Sequence, residues 1–327
     1  MAKKSIGMSM ENTQIKTVMA PAEGINSYLP SNLIKDKAWS SGNNVHFASG
    51  YVEKCGGWQK LITTPATWAA STSYALGALI SHDNNVFRCT TAGTSGLTEP
   101  VFTTTAGATY TDNTVVWTEV GVLTMQGTLM AMDNFYKFNG DDYLMAITTT
   151  HVYYFQPLYN TWVDITGTTP LTGTTNYPVI TENATDYFIF TNGVDNVKYW
   201  SGTGNIADLA GMTDALGGVT TLKAKVLLYF ANCLMLGHTT ENGNLCPQRI
   251  RTSQIGNIEK WKNNDDGSGE VFWGDLTDEI SGIKRLMPIS NYIVAYKEKS
   301  IQILTYVGGG LIWDKRPAII GTGLIAP

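Results

Sequence analysis

The feature that most limits this chain is a rhythm of short apolar runs broken by turn residues. It is clearest near the end. Ile283 to Met287, Tyr292 to Tyr296, Ile301 to Tyr306 and Ile312 to Lys315 are four consecutive strand-like runs, separated by Pro288-Ile289-Ser290, Lys297-Glu298-Lys299 and Gly308-Gly309-Gly310. A run such as Tyr292-Ile293-Val294-Ala295-Tyr296 is apolar on both faces of a pleated strand, so its sheet must be covered on both sides. Similar runs recur upstream: Leu144 to Ile147, Val152 to Phe155 and Trp162 to Ile165; Tyr187 to Thr191 and Val197 to Trp200; Val226 to Phe230, Leu234 to Gly237 and Arg249 to Thr252. The interval is roughly forty residues per small sheet, the scale of a propeller blade, and stacking such meanders around an axis covers both faces of each. The sequence therefore predicts an all-β chain containing a β-propeller, with about four blades after residue 122 and hence an incomplete ring.

Composition agrees. The chain has 327 residues with 33 Gly, 16 Tyr and 9 Trp, and its 15% charged content is far below the roughly 25% of an average soluble protein. With 43% hydrophobic residues it can bury a core without staples, which excludes disorder. Twenty-two basic against 27 acidic residues give a net charge of −5 with no Lys/Arg run, so tight nucleic-acid binding by counterion release is disfavoured. No apolar run reaches the roughly 20 residues of a membrane span, and Met1-Ala2-Lys3-Lys4 leads into polar residues instead of a signal core, so a soluble, unexported chain is expected.

Texture divides the chain. Residues 1–20 read as an arm ordered against a partner. Residues 21–65 read as the first part of the propeller domain, with a hairpin of Asn43 to Phe47 and Tyr51 to Lys54 around Ala48-Ser49-Gly50. Residues 66–121, rich in Thr, Ala and Gly with widely spaced aromatics, read as an inserted small β module, with strands Leu79 to Ser81, Asn85 to Thr90 and Thr114 to Val120 and turns at Asp83-Asn84-Asn85 and Asp112-Asn113. Residues 122–327 continue the propeller.

No constellation for catalysis stands out. His46, His82, His151 and His238 lack metal-ligand spacing, with His151 and His238 read at turns after strands; Gly202-Thr203-Gly204 has no helix after it. Cys55, Cys89, Cys233 and Cys246 form no CxxC pair and read as buried thiols, a Cys233–Cys246 hairpin bridge being the other reading. Asn263 to Glu270 concentrates oxygen ligands around a glycine turn without calcium-loop spacing, and reads as a solvated turn. Asn183-Ala184-Thr185 matches a glycosylation acceptor by chance. Asp275, Asp278 and Glu279 could serve glycoside hydrolysis only if two of them faced each other across a pocket. In the module, Trp68, Tyr74 and Trp117 are the candidate glycan-stacking residues; the competing reading makes them module core, and Arg88, alone there, is too little for stacking single-stranded bases.

Several segments resemble a known family. Asn32 to Trp39, Asn43-Asn44-Val45-His46-Phe47, Gly50 to Lys54 and Gly56-Gly57-Trp58 look like the opening of tail nozzle proteins of short-tailed bacteriophages, the tail tubular protein B-like group. Arg249-Ile250-Arg251-Thr252-Ser253, Ile258 to Trp261, Tyr292 to Lys297, Ser300-Ile301 and Tyr306-Val307-Gly308 resemble the same family. The resemblance implies a structural virion protein. It would be a propeller, usually a homohexameric ring, that joins the portal adaptor to fibres or spikes and retains and conducts genomic DNA during ejection, without cofactor, catalytic residues or membrane insertion. It would be assembled in the host cytoplasm and end in the virion tail. The family commonly continues past Gly321 to Pro327, so this chain is expected to be part of a longer protein. The module, with Gly93-Thr94-Ser95-Gly96 and Glu99-Pro100 beside its aromatics, is similar to inserted tail-protein domains likened to carbohydrate-binding modules. The alternative function is thus a glycan-binding tail adhesin that recognises the host surface.

Overall fold

The structure is a computed structural model that describes residues 63–103, 105–264, 271–308 and 312–324, together with the backbone of strands 45–48 and 51–54. The chain divides into two compact units, Met1–Leu61 and Ile62–Pro327. In the first, β1 (Val45–Ala48) and β2 (Tyr51–Lys54) form the expected antiparallel hairpin. The arm 1–20 and the rest of this unit lie outside the described residues.

The second unit begins with β3 (Ser73–Tyr74), β4 (Leu79–His82), β5 (Asn85–Thr91), β6 (Gly93–Thr94), β7 (Thr109–Asp112) and β8 (Val115–Val122). β4, β5 and β8 form an antiparallel sheet, β7 also pairs with β8, and β3 pairs with β6. Asp83 and Asn84 take φ of 42° and 73°, the primed-turn geometry that matches the twist of two strands joined by two residues. Ile80, Phe87, Cys89, Val115 and Trp117 form the core beneath.

Four meanders follow. The first is β9 (Leu129–Tyr136), β10 (Asp142–Thr148), β11 (Val152–Gln156) and β12 (Thr161–Asp164); the second is β13 (Ile180–Ala184), β14 (Tyr187–Thr191), β15 (Lys198–Trp200) and β16 (Ala207–Asp208). The third is β17 (Leu222–Phe230), β18 (Cys233–Glu241), β19 (Asn244–Thr252) and β20 (Trp273–Asp275); the fourth is β21 (Ile283–Ile289), β22 (Tyr292–Lys297), β23 (Ser300–Tyr306) and β24 (Trp313–Ile320). In every one, successive strands pair antiparallel in sequence order. The first strands are neighbours in turn: β9 beside β13, β13 beside β17, β17 beside β21. Adjacent meanders share cores. Phe135, Met145 and Val152 of the first pack with Phe188, Phe190 and Trp200 of the second, and a larger cluster joins the second, third and fourth. This is an all-β, β-propeller-type arrangement of blades, and no helix occurs among the described residues.

The sequence reading separates the module from the propeller at 121/122, but no break in the sheet occurs there. β8 pairs with β12 at Val122 and Trp162, so the module strands and the first blade form one eight-stranded sheet. The cause is local. Gly121 has φ of 132°, and a Cβ there would lie 2.7 Å from the Trp162 carbonyl, so only glycine lets β12 come alongside; the Thr161 hydroxyl then donates to Val120 O at 2.8 Å.

Two placements differ from the sequence reading. His238 lies inside β18, not at a turn after a strand, because a bulge between Gly237 and Thr239 absorbs it with φ of 53°. Lys297, read as part of the separator between two strands, is instead the last residue of β22 and fully buried, where its ammonium meets Leu276 O at 2.7 Å and Asp278 at 2.9 Å.

Candidate functional site

The three module aromatics do come together, around one carboxylate. Asp112, buried at the end of β7, accepts from Trp68 Nε1 at 2.8 Å and Trp117 Nε1 at 3.1 Å, and from the Gly96 amide at 2.7 Å. Tyr74 packs edge-on against Trp117 with centroids 4.8 Å apart, and its hydroxyl accepts from the Ala69 amide. Trp117 is 0% exposed, so neither face of its ring is open to a sugar, and its assignment as a stacking platform is corrected to core. Trp68 and Tyr74 are half-buried against that core.

The acidic cluster at the end of β20 and just after it is likewise tied up in internal bonds. Arg249 grips Asp275 with two nitrogens at 2.7 and 2.8 Å and reaches Glu241 at 2.9 Å, while Arg251 makes a second fork to Glu241 at 2.6 and 2.9 Å. Asp278 is joined to Lys297, and Glu279 accepts from the Ser281 amide and hydroxyl. The Arg249 hydrogen bonds hold the Asp275 carboxyl low. Burial works against charge on Asp278 but is outweighed by its polar neighbours Ser300 and Lys297, and the Ser281 hydroxyl holds Glu279 low. A glycosidase needs one carboxyl raised to act as general acid, and none of these three is.

Other expectations have definite places. Cys89, Cys233 and Cys246 are free thiols; Cys233 faces Phe230 and Cys246 faces Thr239 in the sheet, so the hairpin bridge is absent. The Asn183 Nδ2 that a glycan would need donates to Asn134 O at 2.8 Å. Gly204 O accepts from Trp200 Nε1, making Gly202 to Gly204 a structural turn. Of Asn263 to Glu270 only the two asparagines are described; Asn263 Oδ1 accepts from the Val271 amide and Asn264 Oδ1 from Gln254. Residues 265–270 and the side chains of Cys55 and His46 lie outside the described residues, among which no group of three or more His, Cys, Asp or Glu could hold a metal.

Sequence reasoning missed a polar cluster where the first strands meet. Glu182 on β13 is pushed up to about 7, by burial first; Asp133 on β9 adds to this, while a hydrogen bond from the Tyr229 backbone on β17 and the charge of Arg285 on β21 oppose it. Thr181 donates to Asp133 at 2.6 Å, and the Asn183–Asn134 bond fastens the same two strands. Residues from all four first strands thus converge on one carboxyl. No motif announces it: Thr181-Glu182-Asn183 and Asp133-Asn134 have the composition of loops.

No family model matches the chain, and no curated protein matches it. Among solved structures, the chain is similar to the computationally designed Ika4 protein at a TM-score of 0.34 and 13% identity, over 55% of this chain and 92% of that one. It is similar to the computationally designed Ika8 protein at 0.31 and 15%, over 67% of this chain and 54% of that one. It is also similar to the N-terminal domain of Nup159, seen too in an S. cerevisiae complex, at 0.36 and 13%, over 79% of this chain and 65% of that one. At these values the likenesses carry nothing about function, and the architecture stands on the sheets described above.

Proposed function

We propose that the chain is a structural protein of a bacteriophage tail, a nozzle subunit. In this reading it assembles into a ring, a hexamer by the family resemblance, that holds and then passes the genome between the portal adaptor and the fibres. The observation that carries the reading is an open apolar blade face. In the fourth blade, Leu286, Ile293, Ala295 and Leu304 point into the shared core. The alternate residues form the other face; Val294 is covered there and Arg285, Asp314 and Arg316 share it, while Met287 (48% exposed), Ile289 (52%), Tyr292 (41%) and Ile319 (48%) remain open. An apolar sheet face of this kind calls for a neighbour, and a ring subunit has one.

The residues of the resemblance support a mechanical role. Arg251 is locked to Glu241, the Ser253 hydroxyl and amide both bond Leu234, Trp261 is buried, and Lys297 ends β22 in an internal ion pair. These described residues build the blades from inside.

Cryo-EM of virions tests the proposal. It expects this chain as a ring on the tail axis, and Met287→Lys with Ile289→Lys to leave a folded protein that no longer enters the ring. Density for the chain only in a lateral fibre, or only in the capsid, overturns it.

A further inference from the structure

Between the second, third and fourth blades lies a cavity of about 180 Å³. Its charged groups are Lys225 on β17 and Lys284 on β21, joined by His238 at the β18 bulge, with Tyr177 and Asn176 from the loop before β13. Lys225 Nζ sits 4.3 Å from the centre of the Tyr177 ring. Among the described residues, lysine ion pairs are made by Lys198, Lys262 and Lys297, so neither cavity lysine has a carboxylate at ion-pair distance. Two lysines on the wall of one cavity, neither paired with a carboxylate, make it a place that attracts an anion.

The backbone here is specialised to hold these groups in place. His238 keeps a φ of 53° within a strand, a strained conformation for a residue other than glycine. Its Nδ1 lies 3.2 Å from Ile283 O, and a Cβ on Gly282 would come within 2.7 Å of the ring, so glycine is what admits the imidazole. Gly193, at φ of 74°, forms another wall: a Cβ there would press on Lys225 Cγ at 3.2 Å. The imidazole is held below its ordinary range by burial first and then by the charges of Lys225 and Lys284, with the Ile283 carbonyl opposing. Both charges that push it down, Lys225 and Lys284, are cationic.

We propose that this cavity binds one small tetrahedral oxyanion of the phosphate class, free or as a phosphodiester, between Lys225 and Lys284, with Asn176 as a neutral donor at the rim. The size suits a single such group and is below the roughly 300 Å³ at which sites for larger organic ligands begin. The choice of phosphate over a planar carboxylate follows from the donors: lysines act as point charges around a tetrahedral anion, whereas a carboxylate is better matched by an arginine fork, and no arginine lines the cavity. The inference is independent of the tail proposal.

Inorganic phosphate titrated into the protein, followed by the His238 imidazole resonances, tests it. Saturable shifts are expected, with affinity falling about tenfold in each of Lys225→Met and Lys284→Met, variants that keep the apolar stem packed. A short DNA duplex added to the phosphate-bound protein separates the sources: displacement assigns the site to the nucleic-acid backbone, and its absence assigns it to a free ion. No shift up to about 20 mM phosphate overturns the proposal. So does binding of equal strength in both variants when their melting curves show them folded.

Discussion

Replacing Glu182 by Gln should stabilise the protein above neutral pH and leave it unchanged in acid. The carboxyl is pushed from its ordinary 4.5 to about 7 in the folded chain, whereas in the unfolded chain it returns to the ordinary value. Between those pH values the native state holds a proton that the unfolded state has released, so the free energy of unfolding falls as pH rises. The group's stabilising share is complete below about pH 4.5 and is lost by the time pH has passed the folded value. A difference of about 2.5 pH units at 1.36 kcal/mol each sets the loss at about 3 kcal/mol, or about 6–12 °C in Tm for a domain of this size. Gln has nearly the same volume and can accept the same Tyr229 hydrogen bond, so the variant should lack this slope. Urea unfolding of both proteins at half-unit steps from pH 4.5 to 8.5 measures the difference directly; shared carboxylates cancel. Asp133→Asn should reduce the wild-type slope and Arg285→Met should steepen it, because those charges push in opposite directions. Parallel curves for wild type and Glu182→Gln, or a variant less stable at pH 8, would refute the reasoning.

Lys297→Met leaves the Asp278 charge buried without its partner and should cost about 3–5 kcal/mol in urea titrations, while Lys297→Met with Asp278→Leu should recover most of it. Trp117→Ala should cost about 3–5 kcal/mol and expose the module core to limited proteolysis. Loss of glycan binding in that variant would therefore report unfolding; Trp68→Phe, which removes the bond to Asp112 but keeps an aromatic ring, is the better probe. The Cys233 thiol is pushed up to about 12 by burial, so iodoacetamide at pH 8 should leave it unmodified in the native protein and label it only after denaturation, read by peptide mass spectrometry.

The strands that the sequence made legible are those whose apolar residues pack on both faces, such as β14 and β18, and those ended by residues that accept positive φ, as at Asp83-Asn84. β9 and β13 were not legible. Their polar groups are held by partners far away in sequence: Thr181 by Asp133, the Asn183 amide nitrogen by the Asn134 carbonyl. Local propensity treats such residues as loop, and only the neighbouring blade makes them strand. Lys297 escaped for the same reason, because its carboxylate and carbonyl partners come from the segment after β20. In the module the three aromatics were visible, but Asp112, the acceptor that binds two of them and turns them toward the core, read only as a turn residue.

The convergence on Glu182 also bears on how a tail ring would carry DNA. Half-buried and pushed up by burial, the Glu182 carboxyl belongs to framework in the tail proposal, not to the wall of a duplex-wide passage. Under the tail proposal the conduit therefore runs between copies of the chain, and the place where the first strands of one copy meet serves only as framework. Assembly and axial electrostatics should then be separable. Met287→Lys, on the open face of the fourth blade, should abolish ring formation in mass photometry while keeping the pH dependence that Glu182 imposes; Glu182→Gln should remove that dependence and still form rings. If either variant altered both properties, the open face and the axial cluster would be one interface, and the conduit would have to be placed at the meeting of the first strands after all.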